Sequence, residues 1–155
     1  MAQKLTTVDS RCSVARSLEV LGEKWTLLII REAFWGRTRF AEFKGRLGVA
    51  PDILTDRLSK LVAHGIFARQ SYRDEGSRER EEYVLTEAGL ALKPVLASLS
   101  QWGDGNRPSG FGPAAIYTDG ETGSPVRIGF LDDDGKEIPV SRVTAVRGPG
   151  ALSPA

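Results

Sequence analysis

The sequence predicts an α+β fold, and three patterns in the chain support this prediction. Apolar residues recur at helical spacing through most of residues 12–64. Two short stretches, residues 66–72 and 80–85, have the composition of strands on either side of a polar, charged loop. After residue 103 the chain becomes rich in Gly, Pro and Asn, and short strand-like segments follow. The chain therefore combines a mainly helical body, one hairpin and a small β segment.

The first part of the chain is predicted to form three helices. Residues 1–11 are polar and are expected to be a mobile arm. A helix follows over residues 12–21, and a second covers about residues 23–34, where WTLLII is apolar on nearly every side. Such a helix is buried from several directions and is expected to be the centre of the domain. Thr38 is expected to cap a short third helix that ends near Leu47.

A fourth helix is predicted over residues 51–64, with Pro51 at its first position and Gly65 just past its end. Leucines at helical spacing fall on one side of it. The opposite side carries Asp52, Asp56, Ser59 and Ala63, and Thr55 and Lys60 flank this exposed face. Arg57 lies near the buried edge, so an internal salt bridge and a contact to a ligand are both open for it.

The rest of the chain is predicted as a hairpin, a long helix and a β appendage. Thr86 is expected to cap one helix that runs to about residue 103, within which Pro94 either kinks the helix or marks a looser first turn. A linker over residues 104–114 separates the main domain, residues 12–103, from an antiparallel appendage over residues 115–147. Asp-Gly turns at 119–120 and 134–135 connect its strands, and residues 148–155 form a tail.

This order of elements is typical of a winged helix-turn-helix. In that fold the core holds one helix outward, so that it can enter a DNA major groove about 12 Å wide. The hairpin reaches the flanking phosphates or the adjacent minor groove. The same order also suits a module that binds an effector or a protein and has weak or lost DNA affinity. The net charge of +1 favours neither alternative.

Several sequence blocks resemble the HxlR family of bacterial transcriptional regulators. They are CSVARSLEVLGEKWTLLIIRE (12–32), RTRFAEF (37–43), LTDRLSKL (54–61), GIF (65–67) and EYVLTEAG (82–89). The resemblance implies a winged-helix homodimer, joined through its N-terminal and long C-terminal helices. It further implies binding to a pseudo-palindromic operator in double-stranded DNA, and it favours a repressor over an activator.

The resemblance and the exposed helix face together predict the DNA contacts. The candidates are Arg37, Arg39, Pro51, Asp52, Thr55, Asp56, Ser59, Lys60, Arg78 and Arg80. The family commonly has a serine where Ala50 stands, and basic or amide residues where Asp52 and Asp56 stand. Aspartate can accept only from a cytosine amino group. The helix at 51–64 is therefore expected to add little electrostatic affinity, and the surrounding basic residues are expected to supply the attraction to phosphate.

Cys12, the only cysteine of the chain, coincides with the cysteine that opens the domain in this family. In several members this residue senses oxidants or electrophiles, and a lone thiol can form a disulfide across a dimer. The alternative is an ordinary small core residue. Trp25, Phe34, Trp35 and Trp102 are likewise open to two interpretations, as an effector pocket or as plain core.

The sequence predicts neither a cofactor nor a metal. Related proteins carry the cysteine pairs of a zinc ribbon in a similar tail, whereas this tail has no Cys or His and so lacks zinc ligands. The acidic run 132–134 is either a hard-ion site or a solvated turn. No catalytic triad or phosphate-binding glycine loop is present, so no enzyme is expected. The absence of a signal segment and of long apolar runs predicts a cytoplasmic protein without membrane contact.

Overall fold

A computed structural model describes residues 11–151 of the 155-residue chain. Most of the predicted arm and the last four residues of the predicted tail lie outside these residues. The chain divides into two compact units. Among the described residues, one unit comprises residues 11–92 and 149–151, and the other is Lys93–Gly148.

The first unit begins with the four expected helices. They are α1 (Ser13–Leu21), α2 (Lys24–Phe34), α3 (Phe40–Leu47) and α4 (Pro51–Ala63). The predicted spans are confirmed to within one or two residues, because each helix ends where a glycine or a change of periodicity predicts it. Gly48 and Gly65 both adopt positive φ just after α3 and α4.

The core of this unit surrounds α2. Ile29 and Ile30 of α2 are fully buried, and α2 contacts α1, α3 and α4. Burying such side chains contributes roughly 1.5–3 kcal/mol each relative to exposing them. The other large buried side chains are Phe43, Leu54, Leu58, Leu61 and Phe67. Three other helices thus contact α2, which agrees with the predicted central position of this helix, although Leu27 and Leu28 are only half-buried.

The start of α3 differs from the prediction. Thr38 does not cap this helix, because the N-cap residue is Arg39, whose side chain has no acceptor atom. Instead the Glu42 carboxylate accepts the backbone N–H groups of Arg39 at 2.9 Å and Thr38 at 3.0 Å. These two donors hold the pKa of Glu42 below its ordinary value. The Thr38 hydroxyl donates to Glu82 at 2.6 Å, which ties the start of α3 to the hairpin.

The hairpin consists of β1 (Phe67–Tyr72) and β2 (Arg80–Leu85), which pair antiparallel with Phe67 opposite Leu85 and Tyr72 opposite Arg80. The predicted strands are confirmed, with β1 starting one residue later than expected. Residues 73–79 form the connecting loop, in which the Arg73 side chain donates to the Ser77 carbonyl at 2.8 Å.

The single long helix predicted after Thr86 is wrong. Thr86 does cap a helix, since its hydroxyl accepts the N–H of Gly89 at 3.1 Å, but this helix, α5, covers only Glu87–Leu90. A separate helix, α6, covers Lys93–Asn106. Pro94 is its second residue, in the first turn, where a missing N–H is tolerated. Of the two alternatives for Pro94, the structure therefore supports the looser first turn.

The C-terminal end of α6 also differs from the prediction. The helix continues to Asn106, through three residues assigned to the linker from sequence. The Asn106 side chain donates to the Trp102 carbonyl at 2.9 Å, and the Arg107 N–H donates to the Gly103 carbonyl at 2.7 Å. These bonds satisfy two carbonyls in the last turn of α6.

The second unit also contains the β appendage. Its strands β3 (Phe130–Leu131) and β4 (Glu137–Ile138) pair antiparallel, and an isolated antiparallel bridge joins Thr118 and Pro125. The appendage also contains a 3₁₀ helix at Val140–Arg142. The antiparallel arrangement is as predicted, although its two paired strands have only two residues each.

Aspartate side chains close both turns of the appendage. The Asp119 carboxylate accepts the N–H of Glu121 and the hydroxyl of Thr122, whereas Asp132 accepts two backbone N–H groups at 2.9 and 3.1 Å. Gly135 has the positive φ that an Asp-Gly turn predicts. In the first turn, however, Gly123 and not Gly120 adopts this conformation.

The packing around Gly89 generates a stability prediction. An added Cβ would lie 2.4 Å from the carbonyl oxygen of Ile66 and 2.9 Å from a methyl group of Leu85. We expect Gly89→Ala to lower the free energy of unfolding by about 2 kcal/mol, measured by urea denaturation. Gly45→Ala is the matched control, because its Cβ meets nothing within 4 Å in α3. The control should gain about 0.5–1 kcal/mol. Equal stability of the two variants would contradict the prediction.

Candidate nucleic-acid interface

The outward face of α4, defined as Asp52, Thr55, Asp56, Ser59 and Lys60, is exposed along its whole length. It is exposed because Leu54, Leu58 and Leu61 of the same helix are buried in the core. The predicted division of this helix into a buried and an exposed side is therefore confirmed. A helix fixed on one side and free on the other can be inserted into a groove.

The first turn of α4 lacks a side-chain cap, as expected from Ala50 at the N-cap position and Pro51 at the first helical position. Asp52 stands in this turn, where a carboxylate interacts favourably with the positive end of the helix dipole. The Thr55 hydroxyl donates to the Pro51 carbonyl at 2.8 Å. Thr55 therefore stabilises the first turn while its side chain stays on the exposed face.

Asp56 is part of a four-residue charge cluster, which sequence reasoning did not identify. Its carboxylate pairs with Arg57 and lies 2.9 Å from the Lys60 ammonium. Glu23, at the N-cap of α2, also pairs with Arg57 and lies 3.5 Å from the same ammonium. Two acids thus compensate two bases.

Arg57 is the most buried member of this cluster, with a side chain only 16% exposed. Of the two interpretations left open for it, the structure supports the internal salt bridge. The periodicity placed Arg57 near the buried edge of α4, but only the fold brings Glu23 beside it.

Arg39 is held against the hairpin. Its guanidinium makes two hydrogen bonds to the Asp74 carboxylate, at 2.9 and 3.2 Å, and stacks 4.1 Å from the centre of the Tyr72 ring. The side chain remains 40% exposed. A carboxylate thus occupies the donor fork that would also fit a phosphate.

Arg37 has an internal partner as well. The side chain of Glu32 is only 5% exposed and is surrounded by three arginines. Arg31 donates to it at 2.6 Å, Arg37 lies 3.3 Å from its second oxygen, and Arg46 lies 3.7 Å from the same oxygen. Arg37 therefore neutralises a buried carboxylate at the end of α2.

Arg78 and Arg80 differ from these arginines. Both are exposed, Arg78 in the hairpin loop and Arg80 at the first position of β2. Neither side chain makes an ion pair or a hydrogen bond with any other residue between 11 and 151. Their charges are thus available to an external anion.

Cys12 is exposed and stands at the N-cap of α1, with a free thiol. The interpretation as a core residue is therefore wrong for the single chain. Two of the aromatic residues that were candidates for the core are also exposed, Trp35 at 58% and Trp102 at 60%. An effector pocket that includes these residues stays a prediction.

Within residues 11–151, no group of three or more His, Cys, Asp or Glu could hold a metal ion. Asp132 is engaged with backbone N–H groups of its own turn, which favours the solvated-turn interpretation of residues 132–134. No helix in the described part of the chain is long and apolar enough to span a bilayer.

The arrangement of α3, α4 and the hairpin agrees with comparisons to known proteins. Residues 20–110 match the sequence profile of the HxlR-like helix-turn-helix family. The chain belongs to this family. The uncharacterized HTH-type transcriptional regulator Rv3095 of Mycobacterium tuberculosis is 43% identical over 141 residues, which cover 89% of this HxlR-like chain and 87% of that protein.

Solved structures support the same assignment. The crystal structure of PA1607, a proposed transcription factor, superposes with a TM-score of 0.73 at 36% identity, covering 88% of this chain and 95% of that one. The reduced form of the redox regulator HypR gives a TM-score of 0.56 at 33% identity, covering 62% of this chain and 94% of that one. The predicted family and the winged-helix fold class are confirmed, and the HxlR-like chain is a helix-turn-helix transcriptional regulator.

The buried Glu32 gives a prediction for the scaffold of this interface. Glu32→Gln removes the charge that three arginines share, and we expect it to lower the free energy of unfolding by about 2 kcal/mol in thermal or urea denaturation. Glu81→Gln is the control, because its ion pair with Arg69 is exposed and 3.8 Å long. The control should change stability by less than about 0.5 kcal/mol. A Glu32→Gln variant as stable as the control would show that the arginine cluster contributes nothing.

Proposed function

We propose that this HxlR-like regulator is a homodimeric repressor that binds a pseudo-palindromic operator. The observation that carries the proposal is the combination of an exposed outward face on α4 and two exposed arginines on the neighbouring hairpin. In this arrangement α4 enters the major groove, and Arg78 and Arg80 contact the flanking phosphates.

The contacts divide by chemistry. Thr55, Ser59 and Lys60 are the base-edge candidates, and Asp52 or Asp56 can accept from a cytosine amino group. Pro51 positions the start of the helix at the groove. Arg39 reaches phosphate by exchanging its Asp74 carboxylate for a phosphate of similar geometry. For Arg37 the pairing with Glu32 favours a supporting role over a DNA contact.

Exposed apolar side chains support the homodimer. Val14 and Leu18 lie one turn apart on α1, and Val95, Leu99 and Trp102 lie along one side of α6. Apolar stripes of this kind on helices mark surfaces that are buried by a partner. In a symmetric dimer the same stripes of both chains meet, and two copies of α4 are presented to two half-sites.

A second candidate function keeps the fold but not the strong DNA affinity. It is favoured by the internal pairing of Arg39, Arg57 and Lys60 with acids, which lowers the positive potential near α4. In this alternative the molecule recognises an effector or a protein, and the outward face of α4 is a protein contact.

Salt dependence of DNA binding separates the two functions. Lys60, Arg39, Arg78 and Arg80 supply four cations per chain, or eight per dimer, which predicts a slope of log affinity against log salt of about −7. The measurement is a fluorescence-anisotropy titration with the promoter fragment of the protein's own gene, with a shuffled fragment of the same length as control. Saturable and sequence-selective binding is expected. If no binding occurs even at low salt, the DNA-binding proposal fails and the second candidate is favoured.

Asp56 and Asp52 give a matched pair of variants on one helix face. Asp56→Asn releases Lys60 from its nearest acid and removes a negative charge that faces the phosphates, so we expect severalfold tighter binding in the same titration. Asp52→Asn changes the net charge equally, but the Asp52 side chain forms no ion pair within the described residues. Its effect should be smaller. Weaker binding by Asp56→Asn would instead mean that Asp56 contacts a base, and equal effects would mean that only net charge matters.

We propose further that Cys12 makes the regulator responsive to oxidants. Its exposure at the N-cap of α1 supports this proposal, as does the similarity to the redox regulator HypR. Diamide accepts two hydrogens from two thiols and should join two chains through a Cys12 disulfide, seen on non-reducing electrophoresis together with altered operator affinity. Cys12→Ser should abolish both effects. If the change in operator affinity survives in Cys12→Ser, the thiol is not the sensor.

A further inference from the structure

A cavity of about 350 Å³ lies within the second unit, between α6 and the first hairpin of the appendage. Pro94, Ala97 and Gln101 form the helical side of the cavity. Ile116, Tyr117 and Val126 are on the hairpin side. All these residues belong to Lys93–Gly148, so the cavity is separate from the α4 interface of the first unit.

Hydrogen bonds fix both sides of the cavity. The Gln101 side chain accepts the N–H of Ile128 at 3.1 Å and donates to the carbonyl of the same residue at 3.2 Å. The Val126 N–H donates to the Tyr117 carbonyl at 2.9 Å, which holds the two arms of the hairpin together. The space between these fixed walls stays open because Ala97 and Ala115 line it with single methyl groups.

The lining determines the class of ligand. The lining surface is mostly apolar, and the hydroxyl groups of Ser100 and Tyr117 lie 3.4 Å apart at a half-buried position. Lys93 and Asp104 also line the cavity, and their opposite charges leave it without a net charge from this pair. One of the two hydroxyls can donate to the other, which leaves the second proton for a ligand acceptor. Arg127 is paired with Glu137 at 2.6 Å and therefore presents little net charge.

We propose that this cavity binds a small, uncharged, ring-containing molecule that has one hydrogen-bond acceptor directed at the Ser100–Tyr117 pair. The volume falls in the range of about 300–1,000 Å³ that is typical of small-molecule sites. An apolar cavity of this kind gains favourable contacts when an apolar molecule fills it. The proposal is independent of operator binding, because it concerns the second unit alone.

Prodan (6-propionyl-2-dimethylaminonaphthalene), a neutral aromatic dye whose ketone oxygen is a hydrogen-bond acceptor, is a suitable probe for the full-length protein. Its fluorescence should rise saturably with one site per chain. Ala115→Phe places a ring into the cavity and should weaken dye binding by about tenfold or more. Ala114→Phe is the control, because it adds the same ring at an exposed residue that does not line the cavity. If Ala115→Phe and Ala114→Phe bind the dye equally well, the dye sits on exposed apolar side chains elsewhere and the proposal fails.

A second measurement needs no variant and so does not depend on whether Ala115→Phe folds. With isotope-labelled isoleucine methyl groups, the dye should shift the NMR signals of Ile116 and Ile128, which line the cavity. The signals of Ile29 and Ile30, in the core of the first unit, should not move. Saturable shifts at Ile116 and Ile128 support the site. Absence of shifts at these two residues, or equal shifts at all isoleucines, overturns it.

Discussion

The burial of α2 is the constraint on which the first unit depends. Because its apolar residues point in several directions, α1, α3 and α4 must cover it from different sides. Each covering helix uses one face for this purpose, and for α4 that face is the row Leu54, Leu58 and Leu61. The opposite face of α4 is then left in solvent. The exposure on which the proposed DNA recognition depends is thus a consequence of how the core is closed.

The same core also determines where the hairpin begins. Gly65 adopts a φ of +69°, the Ile66 N–H donates to the Leu61 carbonyl at 2.9 Å, and Phe67 is buried with its ring centre 6.2 Å from that of Phe43. The hydroxyl of Thr86, which follows the last residue of β2, donates to the Gly65 carbonyl. The hairpin is therefore anchored at its base, and Asp74 of its loop is held by Arg39 at the start of α3, whereas Arg78 of the same loop stays exposed.

The helices and strands of the first unit could be predicted from the sequence, whereas the ion-pair partners of its charged residues could not. Helix periodicity and glycine stops located α1 to α4, and strand composition located the hairpin. Arg37, Arg39 and Arg57 are engaged by Glu32, Asp74 and Glu23, which lie on other elements, and no local pattern connects these pairs. Only the pairing of Arg57 with Asp56 is local to α4. The split after α5 was missed because apolar spacing continues across it, although Pro94 signalled the break. The number of basic residues therefore overestimated the free positive charge around α4.

In the second unit, the turns of an appendage that lacks thiol ligands are held by aspartates, and a cavity remains between the appendage and α6. A metal would link the two turns to one centre, whereas Asp119 and Asp132 each close only their own turn. The hydroxyl of Thr122 and the N–H of Glu121 hold the pKa of Asp119 below its ordinary value. The stabilisation that ionised Asp119 gives the folded state is therefore fully present above the ordinary pKa of aspartate. It is lost as the pH falls through the lowered pKa of Asp119. Because each turn is closed by its own aspartate, the packing of the appendage against α6 depends on the hydrogen bonds of Gln101 and on small apolar side chains such as Ala97 and Ala115. Such contacts fix the spacing of the walls without filling the space between them.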